Sequence, residues 1–193
     1  MDRLKMVGVK LVVVVAIVGR KKSGKTWVME YLISRLAGMG FKIGAVKHIH
    51  EEGITIDTTG KDTWRFAKAG AKVVLSASPD ELALIKRSKM YYSNLDSILE
   101  CLKGEDLDFI FIEGFHSLVA KRADVYKILT AKDAEDLNGL LIGTEPPILA
   151  ATGVIGESVS RLTDQSPPII NLKLNGEELV NRIKALVQKK EEP

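Results

Sequence analysis

Residues 11 to 18 read Leu-Val-Val-Val-Val-Ala-Ile-Val, and the run breaks off into Gly19-Arg20-Lys21-Lys22-Ser23-Gly24-Lys25-Thr26. An apolar, β-branched run without alternation needs cover on both faces, which is the setting of a central strand in a parallel sheet. The segment after it matches the phosphate-binding pattern G-x-x-x-x-G-K-[ST] in full. Chance would give such a match on the order of once per hundred chains of this size. The strand in front and the helical spacing of apolar residues from Trp27 to Leu36 behind supply the context that the pattern requires.

The chemistry of a nucleoside triphosphate accounts for the residue types. Glycine at 19 and 24 lets the backbone close around a phosphate, with Lys22 and Ser23 between them contributing N–H groups. Lys25 reaches the outer phosphates, and the Thr26 hydroxyl serves Mg²⁺. A helix starting at Lys25 turns its positive dipole end toward the anion. The cluster Arg20, Lys21, Lys22 and Lys25 is therefore assigned to phosphates.

The remaining order of elements points to one architecture. Strands are expected at Phe41 to Ile49, Val73 to Leu75, Leu82 to Ile85, Phe109 to Ile112, Val125 to Leu129, Ile148 to Ala151 and Ile169 to Leu172. Helices are expected at Lys61 to Lys68, Asn94 to Leu102 with Asn94 as N-cap, Lys132 to Leu141 and Gly176 to Gln188. Alternation of this kind gives an α/β fold of the P-loop NTPase type, a mostly parallel sheet with helices on both faces and ligands beyond the carboxyl ends of the strands. All 193 residues, 46% of them hydrophobic, read as a single domain, 1 to 193.

The bulk properties narrow the partners. A net charge of +3 with no arginine stripe argues against nucleic acid. The apolar run at 11 to 18 is shorter than the ~20 residues of a membrane span and is followed by basic residues, not a cleavage site, so neither a membrane anchor nor a leader is expected and the protein reads as cytoplasmic. Cys101, the single cysteine, falls in the apolar pattern Leu95, Ile98, Leu99, Leu102 and is expected to pack.

A triphosphate site also needs a carboxylate near Mg²⁺. Glu113 stands at the carboxyl end of the run Phe109 to Ile112 and is the first choice, while Asp108 opens that run at the far edge. The polar segment from Lys47 to Thr63 has the character of a switch. Asp57 or Asp62 there would meet Mg²⁺ directly or through water, and Lys47 or Lys61 would offset charge on the terminal phosphate. Asp62 also suits the first turn of a helix for dipole reasons alone. His48, His50 and His116 either form a metal site or make hydrogen bonds at strand ends.

Several of these pieces together resemble the molybdopterin-guanine dinucleotide biosynthesis protein B family, MobB. They are the loop Gly19 to Thr26, Val46-Lys47-His48, the stretch from Asp57-Thr58-Thr59-Gly60-Lys61-Asp62 to Lys68-Ala69-Gly70-Ala71, and Ile112-Glu113-Gly114-Phe115. The resemblance spans roughly the first 115 residues. It implies GTP and Mg²⁺ as ligands, a slow GTPase at most, a homodimer, and a partner in the guanylyltransferase that completes the molybdenum cofactor. It assigns Gly24, Lys25 and Thr26 to phosphate and Mg²⁺, Glu113 to the second acidic motif, and Asp57 with Asp62 to the switch segment. The chain departs from the family pattern after Phe115, where His116-Ser117-Leu118-Val119-Ala120-Lys121-Arg122 follows. No Asn-Lys-x-Asp guanine signature is present, which leaves Asp164 and Asn171 as candidates for the base, and Arg20 or Arg65 as candidates for an arginine finger. Two other classes stay open on the residues alone: a metallochaperone GTPase using the histidines, and a small-molecule kinase or ligase using ATP.

Overall fold

A computed structural model describes residues 11 to 87 and 93 to 191. By internal contacts the chain forms two compact units, Met1–His48 with Gly104–Pro193, and Ile49–Lys103.

The first unit is built on a five-stranded, all-parallel sheet in the order β2-β5-β1-β6-β7. Its strands are β1 (Val13–Gly19), β2 (Ile43–Lys47), β5 (Phe109–Glu113), β6 (Val125–Thr130) and β7 (Ile148–Thr152). The two apolar runs singled out in the sequence become neighbours at the centre, with Val13 opposite Phe109 and Ile17 opposite Glu113. Alternate residues of a strand face opposite sides. Val13, Val15, Ile17, Phe109 and Phe111 pack under α1 (Lys25–Gly38) and α6 (Leu172–Glu191) against Leu32, Leu36, Leu179 and Ile183. Ala16, Val18, Ile110, Ile112 and Leu129 are buried on the other side, where α4 (His116–Val119) meets β1 and α5 (Ala134–Ile142) meets β6. Because every strand runs the same way, Gly19, Lys47, Glu113 and Thr130 all end at one edge of the sheet.

Local chemistry sets the ends of α1. Gly40, with φ of 90°, is the left-handed residue of a Schellman stop: its N–H donates to Ala37 O at 2.9 Å and that of Phe41 to Leu36 O at 3.2 Å. Phe41 is thereby claimed by the helix stop and Lys42 by Asp108, whose Oδ2 accepts the Lys42 N–H at 2.7 Å. The second strand is accordingly shorter than the expected Phe41 to Ile49.

The segment from Ile169 to Leu172, expected as a strand, is not one. Only Ile169 bridges to Ala151. Pro167 and Pro168 offer no N–H to a ladder. Asn171 then turns the chain into α6, its Oδ1 accepting from Lys173 N at 3.0 Å and Leu174 N at 3.3 Å. The helix is interrupted at Asn175 (φ −126°, ψ 22°), after which Gly176 opens its regular part. The expected helix at Lys132 to Leu141 begins instead at Ala134, since Asp133 is its N-cap and accepts from Asp136 N at 2.8 Å.

The second unit holds α2 (Asp62–Lys68), the antiparallel hairpin β3 (Val73–Ala77) with β4 (Leu82–Lys86), and α3 (Leu95–Glu100) capped by Asn94. Cys101 corrects the sequence expectation. It follows the last residue of a short helix whose only buried residue is Leu95, and its thiol is exposed, donating to Ser97 O at 3.4 Å.

Candidate functional site

The Gly19–Thr26 loop links β1 to α1 at the carboxyl edge of the sheet. Two of its residues, Lys22 (φ 64°) and Gly24 (φ 98°), are left-handed, and such residues among right-handed ones turn successive N–H groups toward a common centre. Lysine in that region is strained, and the loop is held by a buried anchor. Ser23 is fully buried, with Oγ donating to Arg20 O at 2.9 Å and lying 2.7 Å from Thr130 Oγ1. Thr130, also buried, reaches back to Val18 O at 3.2 Å.

Gly19 is required by this anchor. A Cβ there would lie 2.2 Å from both the carbonyl and the hydroxyl of Thr130 and 2.7 Å from Ser23 Oγ. A second supporting glycine escaped the sequence reading. Gly153, directly after β7, has φ of 99°, and a Cβ on it would meet Ser23 O at 2.5 Å and Ala131 O at 2.8 Å. The only sequence signal for it is an Ala-Thr-Gly turn at the end of an apolar strand.

The functional side chains converge on the loop. Lys25 donates to Gly19 O at 3.0 Å and Arg20 O at 2.8 Å. Burial pushes its ammonium below the usual lysine range, with the Glu113 carboxylate opposing that shift, Lys47 adding to it and Asp136 again opposing it. Thr26 Oγ1 donates to Glu113 Oε2 at 3.2 Å. Lys47 Nζ stands 3.0 Å from each oxygen of Glu113. A cavity of about 320 Å³ is lined by Lys21, Lys22, Gly24, Lys25, Thr26, Trp27 and Glu113.

The donor set fits the ligands that the sequence implies. Thr26 and Glu113 place a hydroxyl and a carboxylate together, both hard oxygen donors of the kind Mg²⁺ accepts. Lys25 bonds only neutral carbonyls among its described hydrogen bonds, so its charge is available to an anion in the cavity. Of the paired acids, Glu113 is at this edge, whereas Asp108 lies just before the start of β5 and accepts from Lys42.

The other residues singled out in the sequence have local partners of their own. Asp57 and Asp62 belong to the second unit. There Asp57 accepts from Thr63 Oγ1 at 2.8 Å and has Arg87 at 3.9 Å, and Asp62 pairs with Arg65 at 3.3 Å in the first turn of α2. Arg20 extends from the loop to Asp136, with Nε 3.2 Å from Oδ1. The oxygen of Asn171 serves the N-cap of α6.

The histidines have separate surroundings. His48 stacks on Phe115 with centroids 4.0 Å apart, and its Nδ1 accepts the Phe115 N–H at 3.3 Å. Gly114 and Phe115 both have positive φ, and a Cβ on Gly114 would lie 2.9 Å from His48 Cβ, so this turn and the histidine fit each other. His116 opens α4 with Nε2 2.8 Å from Thr144 Oγ1, and burial lowers its pKa. His50 falls in the second unit. Among the described residues no three histidine, cysteine, aspartate or glutamate side chains are grouped to hold a metal ion.

A parallel sheet with a glycine loop between β1 and α1, and a carboxylate ending the adjacent strand, defines an α/β fold of the P-loop NTPase type. Solved structures share it. The crystal structure of Bacillus subtilis MobB matches with a TM-score of 0.70 at 24% identity, over 89% of this chain and 96% of that one. A MobB homolog from Bacillus stearothermophilus matches with 0.66 at 22% identity, over 91% and 98%. The family model for molybdopterin guanine dinucleotide synthesis protein B matches residues 14–142, and the chain belongs to that family.

Relatives agree in sequence. A putative molybdopterin-guanine dinucleotide biosynthesis adapter protein of Methanocaldococcus jannaschii is 34% identical over 122 residues, 63% of this chain and 48% of that protein. The adapter protein of Haemophilus influenzae is 31% identical over 113 residues, 58% and 60% of the two chains, and that of Escherichia coli 29% over 129 residues, 66% and 70%. The match thus spans about half the length of the first of these relatives.

Proposed function

We propose that this chain is a GTP-binding adapter in molybdopterin guanine dinucleotide biosynthesis, working as a homodimer beside the guanylyltransferase of that pathway. Family membership and the names of the relatives support the pathway. The observation that carries nucleotide binding is the convergence of Lys25, Thr26 and Glu113 on one cavity at the carboxyl edge of the sheet.

In this reading the loop amides and Lys25 hold the phosphates, the positive end of α1 adds to their field, and Thr26 with Glu113 holds Mg²⁺. Bound Mg²⁺ would neutralise charge between the outer phosphates. Turnover is expected to be slow. Arg20 is committed to Asp136, and an arginine that stabilises the transferring phosphoryl group is worth about 10³ to 10⁵ in rate when one is supplied.

Base preference tests the reading. Titration with mant-GTP and mant-ATP in Mg²⁺, excited through Trp27 in a Trp64→Phe background, is expected to give tighter binding of the guanine nucleotide, with Trp27 in the wall of the cavity. Equal or tighter binding of ATP would favour the kinase or ligase class instead. Co-purification of the guanylyltransferase under GTP, and its loss without nucleotide, tests the adapter role.

A further inference from the structure

Lys47 ends β2 and Glu113 ends β5, and the register pairs them directly across the two strands. Both carboxylate oxygens lie 3.0 Å from the Lys47 ammonium, and one of them also accepts from Thr26. The metal-side donors are thus occupied by an internal cation. Glu113 is only 12% exposed whereas Lys47 is 58% exposed, so the carboxylate is fixed and the lysine is the partner able to swing away. Lys25 is held electrostatically by the same carboxylate and by Asp136, and is opposed by Lys47, so Glu113 is the negative charge that the two ammonium groups share.

We infer that Lys47 is the residue by which this site distinguishes a nucleoside triphosphate from a diphosphate. The inference rests on the nucleotide reading above and adds a specificity role to it. A divalent cation and an ammonium compete for the same two oxygens. When Mg²⁺ takes Glu113, Lys47 loses its counter-charge beside a second ammonium and needs an anion at the same edge of the sheet. A terminal phosphate beyond the one held by the loop supplies that anion, and a diphosphate does not. Metal and terminal phosphate therefore bind as a linked pair, each favouring the other by the same factor. An ion pair that only fastened β2 to β5 would carry no such linkage.

The test uses the full chain and Lys47→Gln, which keeps a hydrogen-bonding side chain and removes the charge. Two quantities are measured: Mn²⁺ affinity of the nucleotide-free protein by electron paramagnetic resonance, and the ratio of mant-GTP to mant-GDP affinity in Mg²⁺. Lys47→Gln is expected to raise the first about tenfold and lower the second about tenfold, the scale of one charge-assisted hydrogen bond. Lys47→Arg, which retains the charge, is expected to leave the ratio within about twofold of the unaltered protein, and melting curves identify any variant that fails to fold. If either quantity stays at its original value in folded Lys47→Gln, the inference is overturned. If the unaltered protein binds no mant-GTP, it is the nucleotide reading that falls.

Discussion

Gly19 and Lys25 stand in the same loop for different physical reasons. Gly19 has no room for a Cβ against Thr130, so Gly19→Ala is expected to act on stability. Forcing a methyl into that contact should cost about 2 kcal/mol, seen as a lowered denaturation midpoint. Among its described hydrogen bonds Lys25 meets only loop carbonyls, and it faces the cavity, so its removal should spare the fold and strike ligand binding. Ser23 joins both roles, since its buried hydroxyl ties the strained loop to β6. Ser23→Ala removes the link between Arg20 O and Thr130, which keep Lys25 and Val18 O as partners, and an expected loss of about 1 kcal/mol by chemical denaturation checks this.

At the scale of the element, α4 is the piece the sequence reading lacked. It is four residues long and follows two positive-φ residues, so it has no periodicity to detect. His116 in its first turn has a pKa lowered by burial, and Nε2 contacts Thr144. The folded state therefore binds this proton more weakly than the unfolded chain. Its contribution is present above the ordinary histidine pKa and is lost as pH falls through the lower folded value. Melting of the unaltered protein between pH 7 and 5 should show that loss, and His116→Gln should flatten it. The strands β1 and β5 were legible because continuous apolar runs have one economical fate, burial in a parallel sheet. The segment at Ile169 misled because two apolar residues after Pro167-Pro168 look like a strand, while the cap at Asn171 decides for a helix. Gly153 was hidden for another reason: its role is a contact with Ser23, far away in sequence.

The whole molecule combines a parallel sheet, whose register brings Lys47, Glu113 and the Gly19–Thr26 loop to one edge, with a second unit carrying Asp57 and Asp62. The loop motif named Lys25 and Thr26, position at the end of an apolar run named Glu113, and sheet order explains why residues 87 apart can share a hydrogen bond. The lysine on Glu113 was legible only as one of two candidates for phosphate charge, because strand pairing is not written in local pattern. At this scale Lys25 is proposed to hold Mg·GTP without being needed for the fold. Isothermal titration of Mg·GTP into the unaltered protein and into Lys25→Ala, with melting curves of both, tests it most directly. Measurable binding by the first is expected, with affinity lowered about hundredfold in the second at equal melting temperature, the scale of two charge-assisted hydrogen bonds. Undiminished affinity in a folded Lys25→Ala protein would contradict it.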